Sequence, residues 1–214
     1  MHRFSLKELK MAIDLGCDQF EDNEMVIVGS MSILGHTQGE LPPEIPMTMD
    51  IDLYPKNAGD KVLAKTHMAL DYGEGSQFRA DNGWYIEVLG EWTTFRLTPG
   101  WQDRTNKVVT EKGNVGHCLS PLDLAYNKAT VARVKDFDLV KAMVGVGYIS
   151  YGDLKKFLTD SPPVQEEHQE TARQFMGKLE QALNSPLPEV PHVPKKDQYL
   201  FPQGAGKAGY AAAK

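Results

Sequence analysis

The feature that most constrains this fold is the alternation of residue types in the run MTMDIDLYP at 47–55. Successive side chains of a β-strand point to opposite faces of the sheet, so Asp50 and Asp52 share one face. The residues beside and between them are apolar and share the other face. The pattern therefore predicts a strand with one side in the core and one side that carries two converging carboxylates.

Two carboxylates this close repel each other unless a cation lies between them. Their oxygens are hard ligands that suit Mg²⁺. The alternative is that Asp50 and Asp52 lie on the solvated face of an edge strand, which is the commoner situation for a bare D-x-D sequence. The pair therefore needs support from another part of the chain before it indicates a metal site.

That support comes from the run VIVGSMSI, which lies about twenty residues upstream. Its apolar half predicts a buried strand, Gly29 and Ser30 predict a turn, and a short helix follows. Such a turn exposes backbone N–H groups and a hydroxyl that can bind a phosphate. A Gly-Ser pair on its own is more often only a turn.

The rest of the pattern divides the chain into three parts. Residues 1–119 are expected to form an α/β core, 120–184 a helical part packed on it, and 185–214 a tail rich in Pro, Gly, Ala and Lys. Helices are predicted at 5–20, with a Ser5–Glu8 capping box, and at 31–34, 60–71 with Asp60 as cap, 120–134, 136–144, 150–158 and 161–183. Strands are predicted at 25–28, 84–90, 93–97, 106–110 and 115–119, and a glycine-rich loop at 72–83.

Composition and charge exclude several classes of protein. The apolar runs are far shorter than the roughly 20 residues that cross a bilayer, and the N-terminus lacks the apolar segment of a signal peptide, so we expect a cytoplasmic protein without a membrane partner. A formal net charge of −6 argues against nonspecific nucleic-acid binding. Cys17 and Cys118 are expected to be buried thiols, and the six histidines have no zinc-site spacing.

The two motifs together resemble a known signature. VGS at 28–30 followed by DID at 50–52 resembles the DNA polymerase β-like nucleotidyltransferase superfamily, in which a Gly-Ser turn precedes an acidic pair on the next strand. The chain is similar, in particular, to a bacterial branch related to AbiEii-type toxin nucleotidyltransferases. The matching segments are GSMSIL (29–34), DIDLYP (50–55), GEGSQF (73–78), GWQDR (100–104), CLSPLDLAYNK (118–128) and RVKD (133–136).

This resemblance implies both a fold and a reaction. The fold would be a mixed β-sheet with flanking helices, followed by a helical C-terminal part. Asp50 and Asp52 would hold Mg²⁺, and the phosphates of a nucleoside triphosphate would meet Gly29 and Ser30. The reaction would be two-metal nucleotidyl transfer to an RNA acceptor, such as a tRNA end, or to a protein acceptor. A role as a toxin or in phage defence, with a cognate antitoxin as partner, is a further implication.

Other residues of the chain can complete such a site. Glu87 is the candidate for a third carboxylate, and its alternative is an outward-facing surface acid. Lys128, Arg133 and Lys135 can bind phosphates, or can form an ordinary solvated face. Lys128 and Arg133 are about 140° apart around a helix axis, so they face one way only if the helix ends between them. Asp136 is predicted to cap the next helix.

Two further segments and the tail have open interpretations. The GEGSQF loop, with Arg79 after it, lines a cleft or is only a surface loop. Trp101 is either a packing anchor, which we favour, or stacks on a base beside Arg104. The tail can dock a partner, although its composition favours disorder. The alternative for the whole chain is a protein that keeps this fold but only binds a nucleotide or a partner.

Overall fold

The computed structural model describes residues 4–37, 40–46, 48–59 and 61–185; Asp60, which was predicted to cap a helix, and the tail from 186 onward lie outside the described residues. The helices are α1 Leu6–Phe20, α2 Val62–Tyr72, α3 Gln77–Asn82, α4 Pro121–Val131, α5 Val134–Gly145, α6 Tyr151–Asp160 and α7 Glu166–Asn184. The strands are β1 Glu24–Val28, β2 Asp50–Pro55, β3 Tyr85–Val88, β4 Asn106–Val109 and β5 Val115–Cys118. Short 3₁₀ helices span Ser30–His36, Glu91–Thr94 and Trp101–Arg104.

The strands form one mixed sheet in the order β3-β2-β1-β5-β4. The β1–β2 and β5–β4 pairs are antiparallel, whereas the β2–β3 and β1–β5 pairs are parallel. Parallel neighbours need a crossover connection, and α2 and α3 lie between β2 and β3 in the chain. The mixed sheet with flanking helices confirms the predicted fold class.

The two faces of the sheet have different roles. One face carries apolar residues of β1, β2 and β3 into the main core beneath α1 and α2. The predicted Ser5–Glu8 capping box starts α1. On the other face Val26, Val28 and Tyr54 form a smaller cluster with Leu97, Trp101 and Leu119. Because this second cluster covers only part of its face, the acidic residues of β2 lie beside it rather than beneath it.

Helices α4 to α7 form the predicted helical C-terminal part. Helix α4 contacts α5, α6 and α7, and it also packs against the 3₁₀ helix after β1. Ser120 caps α4 and Pro121 is its first residue, as the sequence predicts. Four consecutive residues of α4, 123–126, are buried, which is why this helix lies at the centre of its layer. Through α4 the helical part is placed next to the Gly-Ser turn.

Three predicted elements were wrong. The glycine-rich stretch 72–83 contains α3, because Ser76 caps a helix whose glycines all lie beyond its ends. Residues 93–97 form no strand, since Glu91–Thr94 is a 3₁₀ turn. The last helix begins at Glu166 instead of 161, because the prolines at 162 and 163 disfavour helical backbone in the residues before them.

The boundary between α4 and α5 also differs from the prediction. Helix α4 ends at Val131, Ala132 has a left-handed φ of 56°, and α5 begins at Val134. Asp136 is therefore inside the first turn rather than at the cap position. Its carboxylate nevertheless accepts the Arg133 N–H, so it completes a capping box from within the helix.

Candidate functional site

Three carboxylates converge at one edge of the sheet. The parallel register of β2 and β3 places Asp52 opposite Glu87 and Asp50 opposite Tyr85. One carboxylate oxygen from each of Asp50, Asp52 and Glu87 lies within 4.8 Å of the others. Glu87 is exposed, but its carboxylate turns toward the pair. These hard oxygen ligands, contributed by two adjacent strands, could hold a metal ion.

The electrostatics of Asp52 reflect this crowding. Burial, followed by the charges of Asp50 and Glu87, raises the pKa of Asp52 to about 7, although Lys128 and Lys135 act in the opposite direction. A carboxylate with this environment is stabilised by any cation that binds beside it. The Thr48 hydroxyl donates to the Asp50 carboxylate.

The Gly-Ser turn lies directly against the acidic pair. The antiparallel register pairs Val28, the last residue of β1, with Asp52. The turn that follows Val28 therefore lies beside Asp52. Gly29 has φ 66° and ψ −169°, a region that essentially only glycine occupies. A Cβ atom on Gly29 would lie 1.9 Å from Oδ2 of Asp52. The glycine is therefore required both for its backbone conformation and for the close approach of the carboxylate.

A buried serine, which the sequence did not single out, holds this turn. The Ser32 hydroxyl donates to the Gly29 carbonyl at 2.9 Å, and the Ser32 N–H donates to the same oxygen at 3.2 Å. Ser30 is only half-buried and lines the cleft beside the acids. Ser32 follows Gly29 by three residues, and that spacing is typical of a serine side chain that bonds to the backbone of its own turn.

The cations come from the corner between α4 and α5. Lys128 Nζ lies 3.2 Å from Oδ1 of Asp136, and Arg133 Nε donates to Oδ2 of Asp136 at 2.7 Å. Because α4 ends at Val131, the condition set by the sequence for Lys128 and Arg133 to face the same way is met. Lys135, in the first turn of α5, also faces this space.

Asp136 is the residue that holds this corner together. Its side chain is only 1% exposed. Burial raises the pKa of Asp136, but the hydrogen bond from Arg133 and the charge of Lys128 outweigh burial and leave the pKa below its ordinary value. Asp136 is thus ionised and fixes two cationic side chains. The sequence indicated only its capping role, because its contact with Lys128 crosses from one helix to the next.

The acids, the turn and the cations face a single cleft. Its volume is about 1100 Å³, and its walls are the sheet face, the α4–α5 corner, the segment 93–99 and the segment 161–168. The charged residues that line it are Asp50, Asp52, Glu87, Arg96, Lys128, Arg133, Lys135 and Asp136. The structure therefore brings all eight sequence-predicted site residues, including Gly29 and Ser30, to one space.

Three other candidate residues have structural contacts instead. Trp101 is 8% exposed and belongs to the second apolar cluster, which confirms the packing interpretation. Arg104 forms a two-point hydrogen bond with buried Asp123, at 3.0 and 2.6 Å. Arg79 lies over the Tyr85 ring and donates to the Glu74 carbonyl.

The remaining sequence expectations concern cysteine, histidine and membranes. Cys17 and Cys118 are free and buried, as predicted, and burial raises the pKa of each to about 12. Within the described ranges, the acidic triad is the only group of three or more His, Cys, Asp or Glu side chains that could hold a metal. No helix in the described part of the chain is long and apolar enough to span a membrane.

Comparison with known proteins agrees with this geometry. No curated protein and no solved structure gives a significant match to the chain. Residues 5–184 match the sequence model of a family described as "Nucleotidyltransferase of unknown function (DUF6036)". The match covers the sheet, the Gly-Ser turn, the acidic triad and all of α1 to α7. The chain therefore belongs to this nucleotidyltransferase family.

Proposed function

We propose that the protein is a Mg²⁺-dependent nucleotidyltransferase that transfers a nucleoside monophosphate from a nucleoside triphosphate to an acceptor. The observation that carries this proposal is that the acidic triad, the Gly-Ser turn and the three cations of the α4–α5 corner face one cleft. Carboxylates and cations that face the same cleft can bind the metal ion and the triphosphate of a metal–triphosphate complex, respectively. Family membership supports the reaction class.

The residues divide into two roles. Asp50 and Asp52, with Glu87, would hold Mg²⁺, which when bound would stabilise the charge on the attacking and leaving oxygens. Gly29 and Ser30 offer backbone N–H groups and a hydroxyl to the phosphates. The list of phosphate ligands is completed by Lys128, Arg133 and Lys135 on the opposite wall.

The proposed reaction joins the acceptor to the α-phosphate. An acceptor hydroxyl oxygen forms a bond to the α-phosphorus, the bond from that phosphorus to the bridging oxygen breaks, and pyrophosphate leaves. The hydroxyl proton passes to Glu87, which is the most exposed of the three carboxylates and lies opposite Asp52 in the sheet. Lys128, fixed by Asp136, would offset the charge that develops on the leaving pyrophosphate.

The proposal extends to the acceptor and the biological role. We propose an RNA acceptor, such as a tRNA end, or a protein acceptor, and a toxin or phage-defence activity that a cognate antitoxin restrains. The resemblance to AbiEii-type toxins supports this part. Expression in a bacterial host should slow growth with the wild-type chain but not with Asp50→Ala. Equal growth in both cases would argue against the toxin role and leave the transferase proposal standing.

The decisive experiment is label transfer. The purified protein is incubated with Mg²⁺, each labelled nucleoside triphosphate, and total RNA and protein extract. Asp71→Ala is the matched control, because Asp71 is exposed on α2 and lies outside the cleft. Label should move to a macromolecule with the wild type and Asp71→Ala, and Asp50→Ala should reduce the transfer by at least about a thousandfold.

Other outcomes would redirect the proposal. Equal transfer by Asp50→Ala would remove the chemistry from this site. No transfer by the wild type, together with a Mg²⁺-dependent thermal shift by nucleotide that Asp52→Ala abolishes, would favour the alternative of a non-catalytic nucleotide-binding protein.

A further inference from the structure

The cleft is lined by exposed apolar side chains as well as by charged ones. The carboxylates and the cations lie where the sheet meets the α4–α5 corner. The segments 93–99 and 161–168 form the remaining walls, and each presents a large apolar side chain. Phe95 is 78% exposed and Val164 is 99% exposed. Both side chains line the same cleft as the acidic triad.

The backbone around Phe95 is fixed, so its exposure is not the result of a loose loop. Thr94 and Leu97 are buried on either side of it, and the Leu97 N–H donates to the Thr94 carbonyl at 2.9 Å. This hydrogen bond closes a turn with Phe95 and Arg96 at its tip. The Thr94 hydroxyl donates to the Glu91 carbonyl at 2.7 Å and anchors the turn further.

The segment that carries Val164 is fixed in a similar way. The Tyr126 hydroxyl donates to the Ser161 carbonyl at 3.0 Å, which ties the segment to α4. The Gln169 side chain donates to the Pro163 carbonyl at 2.7 Å, which ties it to α7. Val164 follows buried Pro163 directly and is held outward between these two anchors.

A ligand that covers the Phe95 ring and the Val164 side chain in this cleft would remove their apolar surface from water. A ligand that contacts both kinds of lining has a highly charged part and a flat, weakly polar part. A nucleoside triphosphate has both. The cleft volume of about 1100 Å³ slightly exceeds the roughly 300–1,000 Å³ typical of small-molecule sites, which leaves room for an acceptor group as well.

We propose that Phe95 stacks on the base of the nucleoside triphosphate and that Val164 covers the base from the opposite wall. This inference rests on the proposed function, since it places the base relative to phosphates bound at the Gly-Ser turn and the cationic corner. Stacking tolerates every base because each has a π-face. Purines have the larger face, so purine nucleotides bind more tightly than pyrimidine nucleotides at this site.

The test separates the base from the phosphates. Binding of Mg²⁺ with a non-hydrolysable purine nucleoside triphosphate is compared with binding of Mg²⁺ with inorganic tripolyphosphate. Phe95→Ala should weaken nucleotide binding by roughly 5- to 150-fold and leave tripolyphosphate binding unchanged. Phe95→Trp should retain nucleotide binding. Leu70→Ala is the matched control, because Leu70 is a comparably exposed apolar residue on α2 outside the cleft, and it should change neither.

Several results would overturn the inference. Phe95→Ala could weaken the binding of nucleotide and of tripolyphosphate by the same factor, or could leave both unchanged. Either result would mean that Phe95 does not contact the base. A change only in the acceptor concentration needed for transfer would assign Phe95 to the acceptor. A wild type that binds tripolyphosphate as tightly as nucleotide would remove the base site and leave the phosphate site of the proposed function intact. A wild type that binds neither would overturn both.

Discussion

The acidic edge of the sheet and the α4–α5 corner face the same cleft with opposite electrostatic character. At the edge, three carboxylates lie within 4.8 Å of one another, and burial and like charge raise the pKa of Asp52 to about 7. At the corner, one buried carboxylate lies between two cations, and the pKa of Asp136 is below its ordinary value. Two aspartates of one cleft are therefore shifted in opposite directions.

The carboxylates of the acidic edge repel one another, whereas the carboxylate of the corner is paired with cations of the same chain. The corner is balanced within the chain, so it adds order and positions Lys128 and Arg133. The edge is unbalanced within the chain, and a bound cation would relieve its repulsion. Unbalanced charge on a well-ordered strand is typical of a binding site. The repulsion lowers the stability of the protein without ligand, and a bound cation removes that repulsion.

The largest expected effect concerns the balanced corner. Asp136→Ala should lower the free energy of unfolding by about 3–5 kcal/mol, since it leaves two cations without their buried partner. Asp123→Ala is the matched control: Asp123 is equally buried and pairs with Arg104. Both variants should lose stability in denaturant unfolding. Tripolyphosphate should stabilise both variants, because both keep the phosphate site, but it should stabilise Asp136→Ala by more, because only its freed cations face the cleft. Equal stabilisation of both variants would contradict the comparison.

A second test concerns the contact between the turn and the edge. Gly29→Ala should lower the free energy of unfolding by about 2–4 kcal/mol, because alanine is strained at φ 66°, ψ −169° and its Cβ would collide with Asp52. Gly113→Ala is the control, since Gly113 also has a positive φ, of 87°, but a Cβ there would meet no described atom within 4 Å. It should lose about 1 kcal/mol. Equal losses would show that Gly29 does not lie against the carboxylate.

The repulsion at the acidic edge should lower the free energy of unfolding as the pH rises. The folded-state pKa of Asp52, about 7, is above the unfolded value near 4, so the folded protein holds this proton between those pH values. The contribution of Asp52 to stability is therefore full below about pH 4 and falls as the pH rises to 7. In metal-free buffer at pH 8, Asp52→Asn should be more stable than the wild type by about 1–3 kcal/mol.

The same variant supplies its own control at low pH. At pH 3 the advantage of Asp52→Asn should disappear, because the wild-type carboxyl is then protonated in both the folded and the unfolded state. Asp71→Asn, on the exposed surface of α2, should show no comparable pH dependence. A wild type that is as stable as Asp52→Asn at pH 8 would mean that Asp52 is not held under repulsion.

The smallest effect is expected at the exposed rim of the corner. Lys135 is exposed, so it acts on a bound triphosphate mainly through screened attraction. Lys135→Gln should weaken tripolyphosphate binding by about 2- to 5-fold at low salt, and the difference should shrink as salt is added. Lys141→Gln, on the same helix but outside the cleft, should have no effect. A loss that is independent of salt would indicate a direct, desolvated contact instead.

The pairing of Asp50 with Asp52 could be predicted from local sequence, whereas Glu87 could only be named as a candidate whose alternative was a surface acid. Asp50 and Asp52 share a face because of the two-residue period of a strand, and Gly29 follows an apolar run that can only be a short strand or buried helix. The approach of Glu87 depends on the parallel register of β2 with β3, which are separated by α2 and α3. Such long-range register leaves no mark in a short window of sequence.

The cations of the corner were predicted, but the geometry of the corner and the exposed position of Phe95 were not, for different reasons. Lys128 and Arg133 face one way because Ala132 adopts a left-handed conformation, which an alanine does not signal. Phe95 lies in TTFRL, whose β-branched and aromatic residues favour a strand, but the burial of Thr94 and Leu97 gives a turn instead. In both cases tertiary packing overrides the local preference.

The most direct test of the central claim is calorimetric binding of a non-hydrolysable nucleoside triphosphate at pH 8, with and without Mg²⁺, to the wild type and to Asp50→Asn. If the acidic edge and the Gly-Ser turn bind one metal–triphosphate complex, Mg²⁺ should increase the nucleotide affinity of the wild type at least about tenfold. The nucleotide affinity of Asp50→Asn should not change when Mg²⁺ is added. Binding that is equally tight in both proteins, and independent of Mg²⁺, would contradict the account.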